Sequence, residues 1–229
     1  MIRRSTEGAS HGGALSIFID YDGTITNVDT FDVLVRHTAG DALWHELDGA
    51  LRRGEISLRE ALRRQALALT GTQDDALAYL ADVAIVDPTF TPFLSRARER
   101  GARTTILSAG IGSLMRANLA RAGVPEIEIL ANDVAYDSSG WIMTFRDNTD
   151  NGHDKTVHVR EANVRGERTV FIGDGLSDFA AAEIATVRFA KKGRALETYL
   201  AERGLAFRSF TSFDQIERAL FSDPSSPTD

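Results

Sequence analysis

Short apolar runs that stop abruptly alternate along this chain with longer stretches of helical periodicity. The first run, Ala14-Leu15-Ser16-Ile17-Phe18-Ile19, ends at Asp20-Tyr21-Asp22-Gly23, as a strand buried on both faces does where it leaves a parallel sheet. Comparable runs return at Thr104-Thr105-Ile106-Leu107, Thr169-Val170-Phe171-Ile172 and Val187-Arg188-Phe189-Ala190, with helical patterns between them. Such alternation predicts an α/β protein with a doubly wound parallel sheet.

The gap between the first two runs is too long for one crossover and contains no convincing strand. Leu43, Leu47 and Leu51 form one helical stripe with Trp44 beside it, and Leu58, Leu62, Ala66 and Leu69 form another. Ser57 with Glu60 reads as a capping box, and Thr72 with Asp75 as a second helix start. The expected organisation is a core formed by residues 14–26 and 88–222, a small inserted helical cap over 27–87, and flexible tails at 1–13 and 223–229. Asp87-Pro88 reads as an N-cap with proline at the first helical position. The helix it starts carries Phe90, Phe93, Leu94 and Ala97 and ends at Gly101. Residues 127–135 and 141–145 flank Asp137-Ser138-Ser139-Gly140 and predict a hairpin-like excursion from the sheet.

Composition removes several classes of function. Of the 229 residues 43% are hydrophobic, which suits a globular core, and no 18-residue apolar run predicts a membrane span. The formal charge of −7 disfavours nucleic acid as a partner. No cysteine is present, so thiolate catalysis, disulfides and cysteine-ligated metals are excluded. Residues 5–13 lack the apolar stretch of a secretory signal, so a cytoplasmic location is expected. The sequence does not address oligomeric state.

The chemistry gathers at the strand ends. Asp20 and Asp22 can face one crevice where the backbone fans out, and like charges that close call for a cation. Alone, the segment is also compatible with a solvated turn. A second acidic pair, Asp174 and Asp178, lies in Gly173-Asp174-Gly175-Leu176-Ser177-Asp178 after another apolar run. Carboxylates that converge without histidine or cysteine are hard oxygen donors suited to Mg²⁺. Ser108 alone reads as a strand-end cap and Lys155 alone as a solvated loop residue. His153 and His158 read as surface residues without a role.

Taken together, Asp20-Tyr21-Asp22-Gly23-Thr24, Ser108 at the end of Ile106-Leu107-Ser108-Ala109-Gly110, Lys155, and Gly173 to Asp178 resemble, in order, the four motifs of the haloacid dehalogenase superfamily. The resemblance implies a Rossmann-like core and a phosphatase mechanism. In it, Asp20 attacks phosphorus, Asp22 is the general acid and base, and Ser108, Ala109 and Lys155 hold the phosphoryl oxygens. Asp20, Asp22 through its carbonyl, and Asp174 bind Mg²⁺, and Asp178 orders the shell behind the metal. A dehalogenase has no need of the acid/base at Asp22. A phosphotransferase would share every motif, and a non-catalytic binding protein would be expected to have lost one.

The helical insert resembles the caps of phosphoserine phosphatases and of methylthio-ketopentenyl-phosphate phosphatases. The first group grips its substrate with a glutamate and a cap arginine, whose counterparts here are Asp29 and Gln65. Glutamine has no cationic fork for a carboxylate, and Arg64 sits at the wrong helical angle. The expected substrate is therefore a small phosphorylated metabolite of the methylthio-ketopentenyl-phosphate kind, with specificity assigned to Asp29, Arg64 and Gln65.

Overall fold

The computed structural model describes residues 14–137 and 140–222. The expected tails, and Ser138-Ser139 of the expected turn, fall outside these residues. A seven-stranded sheet runs in the order β4-β3-β2-β1-β5-β6-β7. Its strands are β1 (Leu15–Ile19), β2 (Arg103–Ile111), β3 (Glu128–Asp137), β4 (Gly140–Thr144), β5 (Arg168–Gly173), β6 (Val187–Lys191) and β7 (Arg208–Phe210). Every pair is parallel except β3 with β4.

Alternation along β1 shows how the layers form. Ile17 and Ile19 point into one core beside Phe90, Phe93 and Phe213, whereas Phe18 points into the other beside Leu107 and Phe171. The two-residue period of a strand thus fills both faces of the sheet. One face is covered by α5 (Phe90–Glu99), α6 (Gly112–Arg121) and α10 (Phe213–Phe221). The other is covered by α7 (Thr156–Val164), α8 (Phe179–Ile184) and α9 (Ala195–Glu202). Because β1 has β2 on one side and β5 on the other, the chain winds away from β1 in both directions. The crevice at its carboxyl end is the position such folds offer to a ligand.

Between β1 and α5 lie four helices: α1 (Thr30–Thr38), α2 (Asp41–Arg52), α3 (Leu58–Ala68) and α4 (Gln73–Val83). The stretch enters and leaves through a narrow neck. There Thr26 bridges Val86, Asn27 N–H donates to the Ile85 carbonyl at 3.0 Å, and Asp87 N–H donates to the Ile25 carbonyl at 2.8 Å. Its apolar stripes pack onto one another and onto Ala109, Ile111, Leu114, Trp141 and Met143, so β4 supports the helices as well as the sheet.

Three local expectations are corrected. The β3 strand does not leave the sheet. Its first half pairs with β2 from Glu128 to Asn132, and only its second half turns to β4. The fifth helix starts at Phe90 rather than Pro88, because Asp87 Oδ1 accepts from Thr89 N–H at 2.8 Å and closes a turn ahead of it. Ser57 accepts from Glu60 N–H at 3.2 Å, but the Glu60 carboxylate binds Arg63 and Arg64, which leaves half a capping box. The box at Thr72 and Asp75 is complete.

Candidate active site

Asp20 stands one residue beyond β1, where its N–H donates to the Ile172 carbonyl at 2.8 Å and fastens the strand tip to β5. Its Oδ1 accepts from Lys155 Nζ at 2.6 Å, and the same ammonium donates to Asp178 Oδ1 at 2.7 Å and Ser177 Oγ at 3.0 Å. Lys155 is 1% exposed and Asp178 fully buried. Burial alone would lower the lysine pKa, but the charges of Asp178 and Asp20 outweigh it and raise the value. The ammonium is therefore fixed in its charged form, buried behind Asp20.

Asp178 spends its other oxygen on the backbone, accepting from Asp174 N–H and Gly175 N–H at 3.0 Å each. Asp174 emerges at the end of β5 and comes close to the first motif. A Cβ on Gly23 would lie 2.4 Å from Asp174 Oδ2, and Gly23 has φ +72°, so only glycine suits this turn. Oxygens of Asp20, Asp174 and Asp178 lie within 4.8 Å of one another. Three carboxylates then share Lys155, with Arg194 no closer than 3.9 Å to Asp174. Burial, and next the Asp178 charge, push Asp174 up to about 6 and raise Asp20 as well.

That surplus of negative charge, presented by hard oxygen donors, fits a divalent cation. Asp20, Asp174 and the Asp22 carbonyl, which accepts no hydrogen bond among the described residues, are the free donors. The oxygens of Asp178 are already occupied by Lys155 and two amides, which suits a supporting position behind the metal.

Asp22 faces the opposite wall. Its Oδ1 accepts from Thr30 N–H at 2.8 Å and Thr30 Oγ1 at 2.5 Å, and its Oδ2 from Ser108 Oγ at 3.4 Å. Burial raises its pKa despite these donors. Burial raises both carboxyls of the strand tip, and they differ in their partners: Asp20 meets the Lys155 ammonium, whereas Asp22 is held by the neutral donors Thr30 and Ser108.

Ser108 lies where the register of β2 against β3 breaks. The Ser108 carbonyl faces His153 Nδ1 at 2.9 Å, and the Ala109 carbonyl accepts from Asn132 Nδ2 at 2.7 Å. Gly110 N–H donates to Ser108 Oγ at 3.0 Å. A Cβ on Gly110 would come within 2.5 Å of Asp22 Oδ2. Contrary to the sequence reading, His153 is a buried residue, 2% exposed. Burial first lowers its pKa to about 4, so the ring is neutral and donates from Nδ1.

Above these groups opens a cleft of about 190 Å³. Asp20, Asp22, Asp174, Ser108 and Ala109 line it from the sheet, and Asp29 and Gln65 from the helices. Asp29 is exposed to the cleft and caps α1 by accepting from Asp32 N–H at 2.9 Å. Withdrawal from bulk water and then the Asp32 charge raise its pKa. Arg64 does not reach the cleft. Its side chain is half exposed and pairs with Glu60 at 2.7 Å, the outward direction its helical angle dictates. Asp32, Trp44 and Asp48 also line the cleft. Sequence reasoning missed the first and last because the stripe of α1, Phe31, Leu34 and Val35, was not traced and Asp48 reads as an ordinary polar position.

A buried acidic and basic cluster at the carboxyl ends of parallel strands, roofed by helices, defines an enzyme of the α/β class. The chain belongs to the haloacid dehalogenase-like hydrolase family, whose pattern matches residues 17–183. It is 32% identical over 216 residues to the Pdp3-interacting factor 1 of Schizosaccharomyces pombe, covering 90% of this chain and 94% of the relative. A polyol phosphate phosphatase of Saccharomyces cerevisiae is 27% identical, over 87% and 90% of the two chains. The 2-hydroxy-3-keto-5-methylthiopentenyl-1-phosphate phosphatase of Brevibacillus brevis is 26% identical over 90% and 95%. A substrate-bound phosphoserine phosphatase superposes with TM-score 0.70 over 90% of this chain and 98% of that one, at 15% identity, a likeness of fold. No helix among the described residues is long and apolar enough to cross a membrane.

Proposed function

We propose that the protein is a magnesium-dependent phosphomonoester hydrolase that works through a phosphorylated Asp20 on a small phosphorylated metabolite. The observation that carries this reading is the pair of carboxylates on one strand tip with different partners, Asp20 bonded to the Lys155 ammonium and Asp22 bonded to the hydroxyls of Thr30 and Ser108. Asp20 supplies the oxygen that attacks phosphorus while Asp22, protonated, gives its proton to the departing alkoxide as the phosphorus–oxygen ester bond breaks. Asp22 then takes a proton from the water that cleaves the aspartyl phosphate, and phosphate leaves.

Ser108 Oγ and the Ala109 segment orient the phosphoryl oxygens, while Lys155 Nζ, whose three hydrogens go to Asp20, Asp178 and Ser177, holds the Asp20 carboxylate in place. Asp20, Asp174 and the Asp22 carbonyl would hold Mg²⁺, which when bound supplies neutralising charge against a dianionic phosphate. The four helices over residues 27–87 act as a cap that carries specificity.

The named relatives favour a methylthio-ketopentenyl phosphate or a polyol phosphate. Phosphoserine is disfavoured, since among the described residues no arginine lines the cleft and Gln65 occupies the position assigned to one. Transfer to a second alcohol would use the same residues, and product analysis in water separates it from hydrolysis. The test is Mg²⁺-dependent release of phosphate from p-nitrophenyl phosphate; an inactive wild type with and without Mg²⁺ rejects the reading.

A further inference from the structure

Two carbonyls near the end of β2 are held by buried side chains that the proposed chemistry does not use. The register of β2 against β3 shifts between Ser108 and Ile111, so Ala109 and Gly110 have no opposite residue in β3. At this break the Ser108 carbonyl accepts from His153 Nδ1 at 2.9 Å, and the Ala109 carbonyl from Asn132 Nδ2 at 2.7 Å. His153 and Asn132 are both buried and neither lines the cleft, whereas Ser108, Ala109 and Gly110 do. In a trans peptide the carbonyl and the N–H of the next residue point in opposite directions. A Ser108 carbonyl fixed on the side away from the cleft therefore turns the Ala109 N–H toward it. The Ala109 carbonyl, fixed in the same way, goes with a Gly110 N–H that donates to Ser108 Oγ at 3.0 Å.

The roles around the His153 ring follow from what each partner can do. A carbonyl only accepts, so Nδ1 carries the proton. The buried ring is neutral and has one N–H, so Nε2 is left as an acceptor. His158 Nε2, from α7, lies 3.4 Å from it and takes the remaining role of donor. At that length the contact is weak and biases the tautomer rather than fixing it. A proton on His153 Nε2 would instead set the Nδ1 lone pair against the carbonyl oxygen and release the Ser108 peptide.

We propose that His153 is a positioning residue: its Nδ1–H holds the Ser108 carbonyl, the Ala109 N–H is thereby aimed at a phosphoryl oxygen, and His158 keeps the proton on Nδ1. His153 acts through the Ser108–Ala109 peptide and does not itself meet the substrate. The inference rests on the phosphomonoesterase reading above and adds two histidines, which the sequence reading left without a role, to the groups that prepare the phosphate site.

His153→Gln and His153→Met test it, because the two side chains match in length and only the amide donates. The full-length protein is assayed with Mg²⁺ well below the melting temperature of each variant. In His153→Met, kcat/KM for p-nitrophenyl phosphate is expected to fall about tenfold or more, the scale of one hydrogen bond, and the inhibition constant of inorganic phosphate to rise with it. His153→Gln is expected to stay within about threefold of wild type. A purely structural role makes no such distinction, so equal rates in the two folded variants overturn the assignment. If the methionine variant does not fold, the wild-type protein decides. Long-range ¹H–¹⁵N spectra should show His153 protonated on Nδ1 and His158 on Nε2, and a proton on His153 Nε2 overturns the assignment. His158→Phe keeps a ring and removes the donor; it should lower kcat/KM about threefold with little change in melting temperature, and an unchanged rate removes His158 from the proposal. An inactive wild type rejects the phosphatase reading and this inference with it, whereas an active enzyme with His153 protonated on Nε2 rejects this inference alone.

Discussion

The two walls of the cleft are built differently. On the sheet side Asp20, Lys155 and Asp178 are buried and each has a partner at 3.0 Å or less, and Asp174 alone keeps its oxygens open, with Thr24 Oγ1 at 3.3 Å. Asp20 and Asp178 follow the ends of β1 and β5, and Lys155 stands immediately before α7. On the helical side Asp29 is exposed and Gln65 meets Asp32 at the limit of a hydrogen bond. A wall already saturated holds its groups in place before any substrate arrives, which electrostatic catalysis demands. A wall with open valences is completed by the ligand, which is what discrimination demands. Chemistry and selectivity should therefore be separable by mutation.

The sharpest break is expected at Asp20. Asp20→Asn is nearly isosteric and removes the anionic nucleophile, so kcat should fall by about 10³-fold or more for every substrate, with the fold intact by circular dichroism. Near-normal turnover in that variant sinks the proposed mechanism. Next in size is the metal. Chelation should abolish activity and Mg²⁺ restore it, because Asp20, Asp174 and Asp178 otherwise crowd one ammonium. Asp174→Ala should raise the Mg²⁺ concentration needed for half-maximal rate, and full activity in excess chelator would rule out a metal role.

How much of this contrast the sequence displays follows the same division. The sheet wall is legible because apolar runs ending in Asp20 and Asp174 mark where β1 and β5 stop, and the run ending in Ser108 marks where β2 breaks register with β3. The helical wall is less so. Leu47 and Leu62 show in the stripes of α2 and α3, but which polar neighbour faces the cleft depends on how the helices cross, and periodicity does not encode crossing. Gln65 faces inward and Arg64 outward, so Arg64 does not take the specificity role expected of it, and Asp32 was not seen. The three-residue β7 is too short to leave a pattern, and the paired half of β3 was hidden because one strand serves both a parallel and an antiparallel neighbour. The burial of His153 follows from Ser108, a partner 45 residues away.

That buried histidine gives a third test, on stability rather than rate. Its pKa is lowered by burial to about 4, against about 6.5 in an unfolded chain. Above pH 6.5 neither state is protonated there and its contribution is fully present. As pH falls from 6.5 toward 4 the unfolded chain binds a proton that the native site refuses, so stability is lost, by up to about 3 kcal/mol. His153→Gln removes this titration while leaving an amide able to donate to the Ser108 carbonyl. Denaturant unfolding should therefore show a flatter dependence on pH in this window than wild type, and equal slopes would show that His153 is not held neutral.

The smallest effect expected, and the one that probes the boundary between the walls, is at Asp29. It lines the cleft yet also caps α1 through Asp32 N–H at 2.9 Å, so Asp29→Ala combines two losses. Losing the cap costs about 1 kcal/mol of stability, and because α1 also supplies Thr30, which holds Asp22, fraying there would slow all substrates alike. Asp29→Asn separates the contributions, since asparagine caps as well as aspartate and lacks only the charge. If Asp29 meets the leaving group, Asp29→Asn should lower kcat/KM for a hydroxylated ester such as glycerol 3-phosphate by roughly tenfold relative to p-nitrophenyl phosphate, the scale of one polar contact in a closed site. The melting temperature should stay near that of wild type. If instead the asparagine variant behaves as wild type while the alanine variant loses rate on both esters, Asp29 serves the helix and, through Thr30, the acid/base, and it belongs with the saturated wall.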